Sequence, residues 1–471
     1  MSGRQDVMNP YHRESLKSFS TDAGIRGFFF FAFAATALFI VYGSLVPLRY
    51  KPIPFHRAIQ AFENLIDFSR TVSSGPAARA DWITNLVLYV PMAFFGMGVL
   101  SRRGEFGARV FLKSAAVLAL CLFWSMGVEF AQLYFPPRTA SILDILAQIL
   151  GSAVGLSLWW VFGDSAARVV YRIRFGKGKG AFLAGLTLYT LAYGLIALFP
   201  FDFAVSLEEL HKRLASGRDA LWAAPCRSAL WICLGGSILE MASAVPLGIL
   251  VAAVLPLSVR RRALATGLLA ALFGVVLETA QLFMISGSAQ GLSVFVRAAG
   301  AVLGCLLHDQ LSLEMIRNLR GVVRPAVVLA VPLYVVVLAM AAGWRPNGTV
   351  DFHGAMRQWS KVRFIPFYYH YFTSELMALK SLLSQLAAYV PVSAMFWAWN
   401  LADPRGPRIR SAVIPTMLAF GCAALMEVLK LFLPGKHPDP TNVMIAAGGA
   451  FVAHRALGWL TLWVAAGANR S

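Results

Sequence analysis

The sequence predicts an all-α polytopic membrane protein of about twelve transmembrane helices, arranged as three parallel four-helix repeats. Three observations predict it. Of 471 residues, 58% are hydrophobic and only 14% charged, with a mean hydropathy of +0.64. A soluble domain carries about a quarter charged residues. Apolar runs near the ~20 residues needed to cross a bilayer recur along the whole chain. A polar signature also recurs inside those runs at a constant period, the mark of internal repetition.

The N-terminus is polar through Arg26 and is expected as a cytoplasmic tail (1–26). The run opening at Gly27, "GFFFFAFAATALFIV", is too long for a signal-peptide core, and no small-residue cleavage site follows. It is expected to stay as the first span, over 27–47. The first unit (27–175) then places spans over 82–100, 109–134 and 141–163. The second unit (176–320) places them over 180–200, 229–256, 262–285 and 290–307. The third (321–471) places them over 322–343, 381–400, 411–433 and 440–464. An even number of spans per unit makes the repeats parallel, not inverted.

The register of the repeat is set by Glu129, Glu278 and Glu427, spaced 149 and 149 residues apart (278 − 129 and 427 − 278). Three residues on come Gln132, Gln281 and Lys430; nine on come Arg138, Gly287 and Lys436. Fifteen on come Asp144, Ser293 and Asn442, and Arg297 stands at the Gln148 position. Gly151, Gly300 and Gly449 follow, then Gly155, Gly304 and Ala453, with no gap. Upstream, "NLVLYVPMAFFGMGVL", "ILEMASAVPLGILVA" and "SQLAAYVPVSAMFWAW" carry Pro91, Pro246 and Pro391 inside apolar runs. "YGSLVPLRY" (from Tyr42) parallels "YGLIALFPFDF" (from Tyr193), while "AAGWRPNGTVDF" (from Ala341) matches least.

The net charge of +19 lies mainly in loops. With no basic domain apart from the membrane segments, it points to topology and anionic headgroups, not to nucleic acid. Arg102, Arg103 and Arg109, then Arg260, Arg261 and Arg262, then Arg405, Arg408 and Arg410 lie between second and third spans. Turns between third and fourth spans hold only Arg138 and Lys436. The positive-inside rule puts the Arg-rich loops and both termini in the cytoplasm. The segments after each unit, with Arg168, Arg172, Arg174, Lys177 and Lys179, or Arg317, Arg320 and Arg324, agree. The repeated polar cluster then faces the outer half of the membrane. Loops between first and second spans lie on that side too, with amphipathic stretches such as "FAVSLEELHKRLASG" expected as surface helices. The five cysteines, Cys121, Cys226, Cys233, Cys305 and Cys422, form no Cys-x-x-Cys pair and are expected as small core residues, not ligands or disulfides. The eight histidines show no metal spacing. No metal or cofactor is expected.

Lipid penalises polar groups that are neither paired nor turned to an interior. Glu129 and Gln132 share a helix face at i, i+3, and Pro136 and Pro137 end that helix. Asp144, Gln148, Gly151 and Gly155 share a face of the next helix, and Gly151/Gly155 is a small-xxx-small step for close approach. Glu129 and Asp144 can therefore meet at the tip of a hairpin, with Arg138 in the turn. Asn85, six residues before Pro91, can add an amide, with Gln385 equivalent. A purely structural reading also fits: Ser141 and Asp144 have capping-box spacing, Arg138 can neutralise Glu129, and the glycines can serve packing alone. The first unit keeps the full set, which makes it the best candidate for binding or chemistry. The second keeps Glu278, Gln281 and Arg297. The third keeps Glu427, Lys430, Lys436 and Asn442, with Asp439 at the Ser141 position.

The patterns "NLVLYVPMAFFGMG", "EFAQLYFPPR" and "DILAQILGSAVG" in residues 82–155 resemble the VanZ-like family. "EVLKLFLPGKHPDPTNVMIAAGGA" resembles a second form of the pattern, with Asn442 where the family usually shows Asp; the second unit is a degenerate copy. Members commonly consist of one such unit. The resemblance implies a bacterial integral membrane protein of the cell envelope. The founding member is associated with resistance to the glycopeptide teicoplanin, and others lie near surface-polysaccharide and protein-sorting genes. The resemblance supplies no reaction.

Three functions are expected in order. The first is a binder or transporter of a lipid-linked or anionic envelope intermediate, such as a polyprenyl-linked one. Arg138 and the amides would hold its phosphate or sugar, and Glu129 and Asp144 would take up protons. The second is a non-catalytic scaffold for envelope-biogenesis proteins. The third is an intramembrane enzyme acting by paired carboxylates, although no nucleophile set accompanies them. Membrane lipids are expected partners in each case.

Overall fold

The computed structural model describes residues 10–66, 76–101, 105, 107–176, 179–204, 206–217, 219–220, 222, 230–310, 320–344, 351–373, 375–402 and 411–468. Arg102, Arg103, Arg317, Arg405, Arg408, Arg410, Lys177 and Cys226 lie outside the described residues. Among the described residues the chain is helical without strands, apart from two isolated bridges. Twelve helices there are long and apolar enough to cross a membrane. The all-α polytopic fold expected from composition is the fold observed.

The chain divides into two compact units, Met1–Gly176 and Lys177–Ser471. In the first, α1 spans Pro10–Leu45, α2 Phe55–Glu63, α3 Pro76–Leu100, α4 Ala108–Gln132 and α5 Ile142–Phe175. Helix α1 starts at Pro10 and not near Gly27, so polar residues expected as a tail form its first turns. Proline suits a first helical position, and no glycine or proline interrupts the chain again before Gly24. Helix α5 has 34 residues, or about 51 Å at 1.5 Å per residue, and outruns the expected end at 163 in the same way. The core gathers Ile40, Tyr89, Met92, Met97, Val117 and Cys121 between α1, α3 and α4.

Helix α5 lies against α3 through its glycines. A Cβ at Gly151 would come within 2.0 Å of the Leu86 carbonyl oxygen, and one at Gly155 within 2.3 Å of that of Val90. Only residues without a Cβ allow two backbones this close.

The second unit contains α6 Lys179–Ala197, α7 Leu207–Leu214, α8 Leu230–Val254, α9 Val259–Leu282 and α10 Gly291–Gln310. It continues with α11 Arg320–Ala342, α12 Phe352–Trp359, α13 Tyr368–Tyr371, α14 Glu375–Leu401, α15 Val413–Leu429 and α16 Pro440–Ala468. Gly300 and Gly304 repeat the close approach, 2.1 and 2.0 Å from the Met241 and Val245 carbonyl oxygens of α8. Gly449 is looser, its nearest neighbours on Leu386 standing at 3.0 Å. Helices α6 and α16 meet through Phe182 stacked on Trp463 at 5.0 Å and Trp459 against Gly185.

Short amphipathic helices α2, α7 and α12 follow α1, α6 and α11. Helix α7 is capped by Ser206, which accepts from Glu209 N at 3.1 Å, and α12 by Asp351, which accepts from Gly354 N at 2.9 Å. Arg213 of α7 is buried. Its guanidinium donates to both Asp219 oxygens at 2.7 and 2.8 Å, and its Nε donates to the Met284 carbonyl at 2.7 Å. Asp219 in turn accepts from Ala289 N at 2.8 Å, so the pair pins α7 to the α9–α10 turn. Arg213→Ala is expected to cost about 2 kcal/mol, the scale of charged hydrogen bonds. It should also speed chymotryptic cleavage around α7, whereas unchanged cleavage would mean that the segment is held elsewhere.

One cysteine expectation is corrected. Cys121, Cys305 and Cys422 are free, but Cys233 is disulfide-bonded. Pairing requires Cα atoms about 4.4–6.8 Å apart and Cβ atoms that point toward each other, conditions that tertiary structure sets and sequence spacing does not reveal.

Candidate functional site

The first unit closes its α4–α5 hairpin around Glu129, which is 1% exposed. Glu129 Oε2 accepts from the backbone N–H of Ser141 at 3.1 Å, and Oε1 accepts from Gln148 Nε2 at 3.2 Å. Gln132, with its amide nitrogen turned inward, donates to Glu129 Oε2 at 3.1 Å and to the Thr139 carbonyl at 3.2 Å. Gln148 Nε2 also reaches Asn85 Oδ1 at 3.3 Å, and Ser125 donates to Gln148 Oε1. Ser141 caps α5 by accepting from Leu143 N at 3.2 Å. The Ser141 N–H that a local capping box would tie to Asp144 is tied across the hairpin to Glu129 instead.

Asp144 is half-buried beside Asn85 and Asp81. Residues 81, 85 and 89 fall on one stripe of α3, and 144 and 148 on one stripe of α5. A polar seam therefore runs inward from exposed Asp81, through half-buried Asn85 and Asp144, to buried Gln148 and Glu129. Tyr89, 1% exposed, stands at its inner end; its hydroxyl is buried without a hydrogen-bond partner among the described residues. Tyr89 and Ser125 were not singled out from sequence. The signal for Tyr89 was available, since Tyr389 also precedes its proline by two residues.

Two of the donors of Arg138 go to the end of α1. Its Nε donates to the Val46 carbonyl at 2.8 Å and its Nη2 to that of Gly43 at 2.7 Å. These are orphan acceptors at the C-terminal end of α1, where a cation also meets the favourable end of the helix dipole.

In the second unit Glu278 Oε2 accepts from Gln290 N at 2.7 Å, again twelve residues on. Its other oxygen meets Arg297 Nη1 at 2.7 Å, and Arg297 Nη2 meets Glu240 Oε1 at 2.9 Å. Ser293 donates to Glu240 Oε2 at 3.1 Å. Glu240, six residues before Pro246, occupies the Asn85 position and was missed, although that spacing marks it. Gln281 turns away from Glu278 to the Ala197 carbonyl at 2.9 Å.

Glu427 Oε2 accepts from Asp439 N at 2.8 Å, while Oε1 accepts from Lys430 Nζ at 2.6 Å and Asn442 Nδ2 at 2.9 Å. Asp439 accepts from Thr441 N at 2.9 Å and lies 3.4 Å from His370 Nδ1. Lys436 is exposed, its side chain against Gly343 at the end of α11.

One carboxylate oxygen thus does the same work in all three clusters, holding the backbone where the next helix begins. The other differs. Glu278 and Glu427 face the cations Arg297 and Lys430; the donors to Glu129 are a backbone N–H and two neutral amides. Among the described residues no group of three or more His, Cys, Asp or Glu is placed to hold a metal ion.

Residues 17–163 match the VanZ/LLP1 family model. No curated protein and no solved structure matches the chain significantly. The family match runs from within α1 into α5 and takes in the whole seam from Asp81 to Gln148, so it is this stretch of the membrane-spanning chain that is similar to the VanZ/LLP1 family.

Proposed function

We propose that this is a bacterial cytoplasmic-membrane protein of the cell envelope that binds or moves a lipid-linked envelope intermediate, with the seam of the first unit as its recognition site. The observation that carries the reading is the setting of Glu129. The hydrogen-bond donors to buried Glu129 are all neutral, whereas its counterparts are paired with Arg297 and Lys430. Intramembrane carboxylates of this kind mark ligand or proton pathways. Because Arg138 gives two donors to α1, the seam suits a donor-rich headgroup, sugar hydroxyls or an amine, better than a bare phosphate.

The same reading takes 27–175, 176–320 and 321–471 as three tandem VanZ-like units, the second degenerate. The shared bond from each Glu to a backbone N–H twelve residues on supports it. Both termini lie in the cytoplasm. Cys233, near the start of α8, is at the end opposite the Arg-rich start of α9. Its disulfide fits an oxidising compartment on that side.

The test is mass spectrometry of lipids co-purified with wild type, Asp144→Asn and Glu129→Gln. Asp144→Asn keeps shape and removes one half-buried charge. A polyprenyl-linked species enriched on wild type should fall about tenfold, the 1.4 kcal/mol scale of one charged contact. Bulk phospholipid alone on all three proteins would sink the reading. The shared Glu-to-backbone bond also favours a second one, a membrane scaffold. It predicts that Glu129→Gln lowers protein abundance or partner recovery with no change in bound lipid.

A further inference from the structure

The far end of the first unit carries a second polar site. Asp164 lies twenty residues beyond Asp144 on α5, about 30 Å along the helix, which is the thickness of a bilayer's hydrocarbon core. Asp164 therefore sits at headgroup depth on the face opposite the seam. There α1, α3 and α5 enclose a groove of 650 Å³, within the range of small-molecule sites. Charges of both signs line it: Asp22 and Arg26, one turn apart on α1, and Asp164 on α5. Among the described residues neither Asp22 nor Asp164 forms an ion pair. Ser101 also lines the groove, and its hydroxyl is buried without a partner among the described residues. Phe29, Phe30 and Trp159 supply the apolar wall. A neighbouring groove of 310 Å³ shares Ser101, Trp159 and Asp164, so Asp164 borders both cavities.

We infer that this groove binds the headgroup of an aminophospholipid of the phosphatidylethanolamine class. Its ammonium is held by the carboxylates of Asp22 and Asp164, its phosphodiester by Arg26 and Ser101, and an acyl chain runs along Phe29, Phe30 and Trp159. The lining itself carries two carboxylates and one guanidinium. They favour a headgroup that carries N–H donors as well as a phosphate, and a primary ammonium gives charge-assisted bonds that a trimethylammonium cannot. The site uses none of the residues of the seam and stands whether or not the seam binds a ligand.

Native mass spectrometry of the full chain, exchanged into phosphatidylethanolamine, phosphatidylcholine and phosphatidylglycerol in equal amounts, tests the inference. About tenfold preferential retention of phosphatidylethanolamine over phosphatidylcholine is expected on wild type. Near parity is expected on the Asp22→Asn/Asp164→Asn double variant. Equal retention of the two lipids on wild type overturns the inference, as does a preference for phosphatidylglycerol. The wild-type comparison decides the matter alone if the double variant fails to fold.

Discussion

Arg297→Met is expected to destabilise the α8–α10 cluster by about 3–5 kcal/mol, the cost of breaking a buried ion pair from one side. Arg297 lies between Glu278 and Glu240, at 2.7 and 2.9 Å. Without it, two carboxylates face each other in an apolar surround with Ser293 and the Gln290 N–H as remaining donors. The fall should appear in thermal unfolding of the detergent-solubilised chain followed by size-exclusion chromatography. A triple variant, Arg297→Met with Glu240→Gln and Glu278→Gln, should recover most of it, because neutral groups of the same size carry no uncompensated charge. Recovery would assign the loss to charge and not to packing around the longer side chain. A single variant as stable as wild type would mean that water reaches the triad. Lys430→Met should cost less, since Asn442 still donates to Glu427 Oε1 at 2.9 Å.

The same triad shows what a sequence reveals and what it withholds. Number and order of spans were legible because hydropathy is a property of local runs, and the three glutamates because a 149-residue period survives any divergence between them. The helices α2, α7 and α12 were legible in kind from amphipathic composition. The partner of each acid was not. Gln148 and Arg297 share a position, yet one offers an amide and the other a charge, and only the change of Asn85 to Glu240 explains why the second cluster takes a cation. That covariation links residues on different helices and requires the α3–α5 and α8–α10 contacts to be known. Arg138 misleads for a similar reason: it is nine residues from Glu129, yet its donors meet α1 carbonyls more than ninety residues back in the chain. The contact of α6 with α16, through Phe182 and Trp463, is equally long-range. It joins into one compact unit two stretches that look separate along the sequence.

Gly151→Ala is expected to cost about 3 kcal/mol or more, the upper range for overpacking, although alanine is the better helix former by about 1 kcal/mol. The added Cβ would stand 2.0 Å from the Leu86 carbonyl oxygen and 2.8 Å from its carbon. These are backbone atoms in the middle of α3, so relief comes only by moving α3 away from α5. Leu86 is the neighbour of Asn85, and Asn85 meets Gln148 at 3.3 Å across that contact. The substitution therefore parts the two walls of the polar seam as well as the helices. Gly421→Ala is the matched control: it also lies within a helix, and nothing stands within 4 Å of its added Cβ. It should stabilise by about 0.5–1 kcal/mol through propensity alone. If both variants unfold alike, the close approach of α3 and α5 is not what holds the first unit. If Gly151→Ala survives at reduced stability and also loses the lipid retained by wild type, then the spacing of these two backbones sets the width of the recognition site. The glycine would then act on binding without carrying any group that touches the ligand.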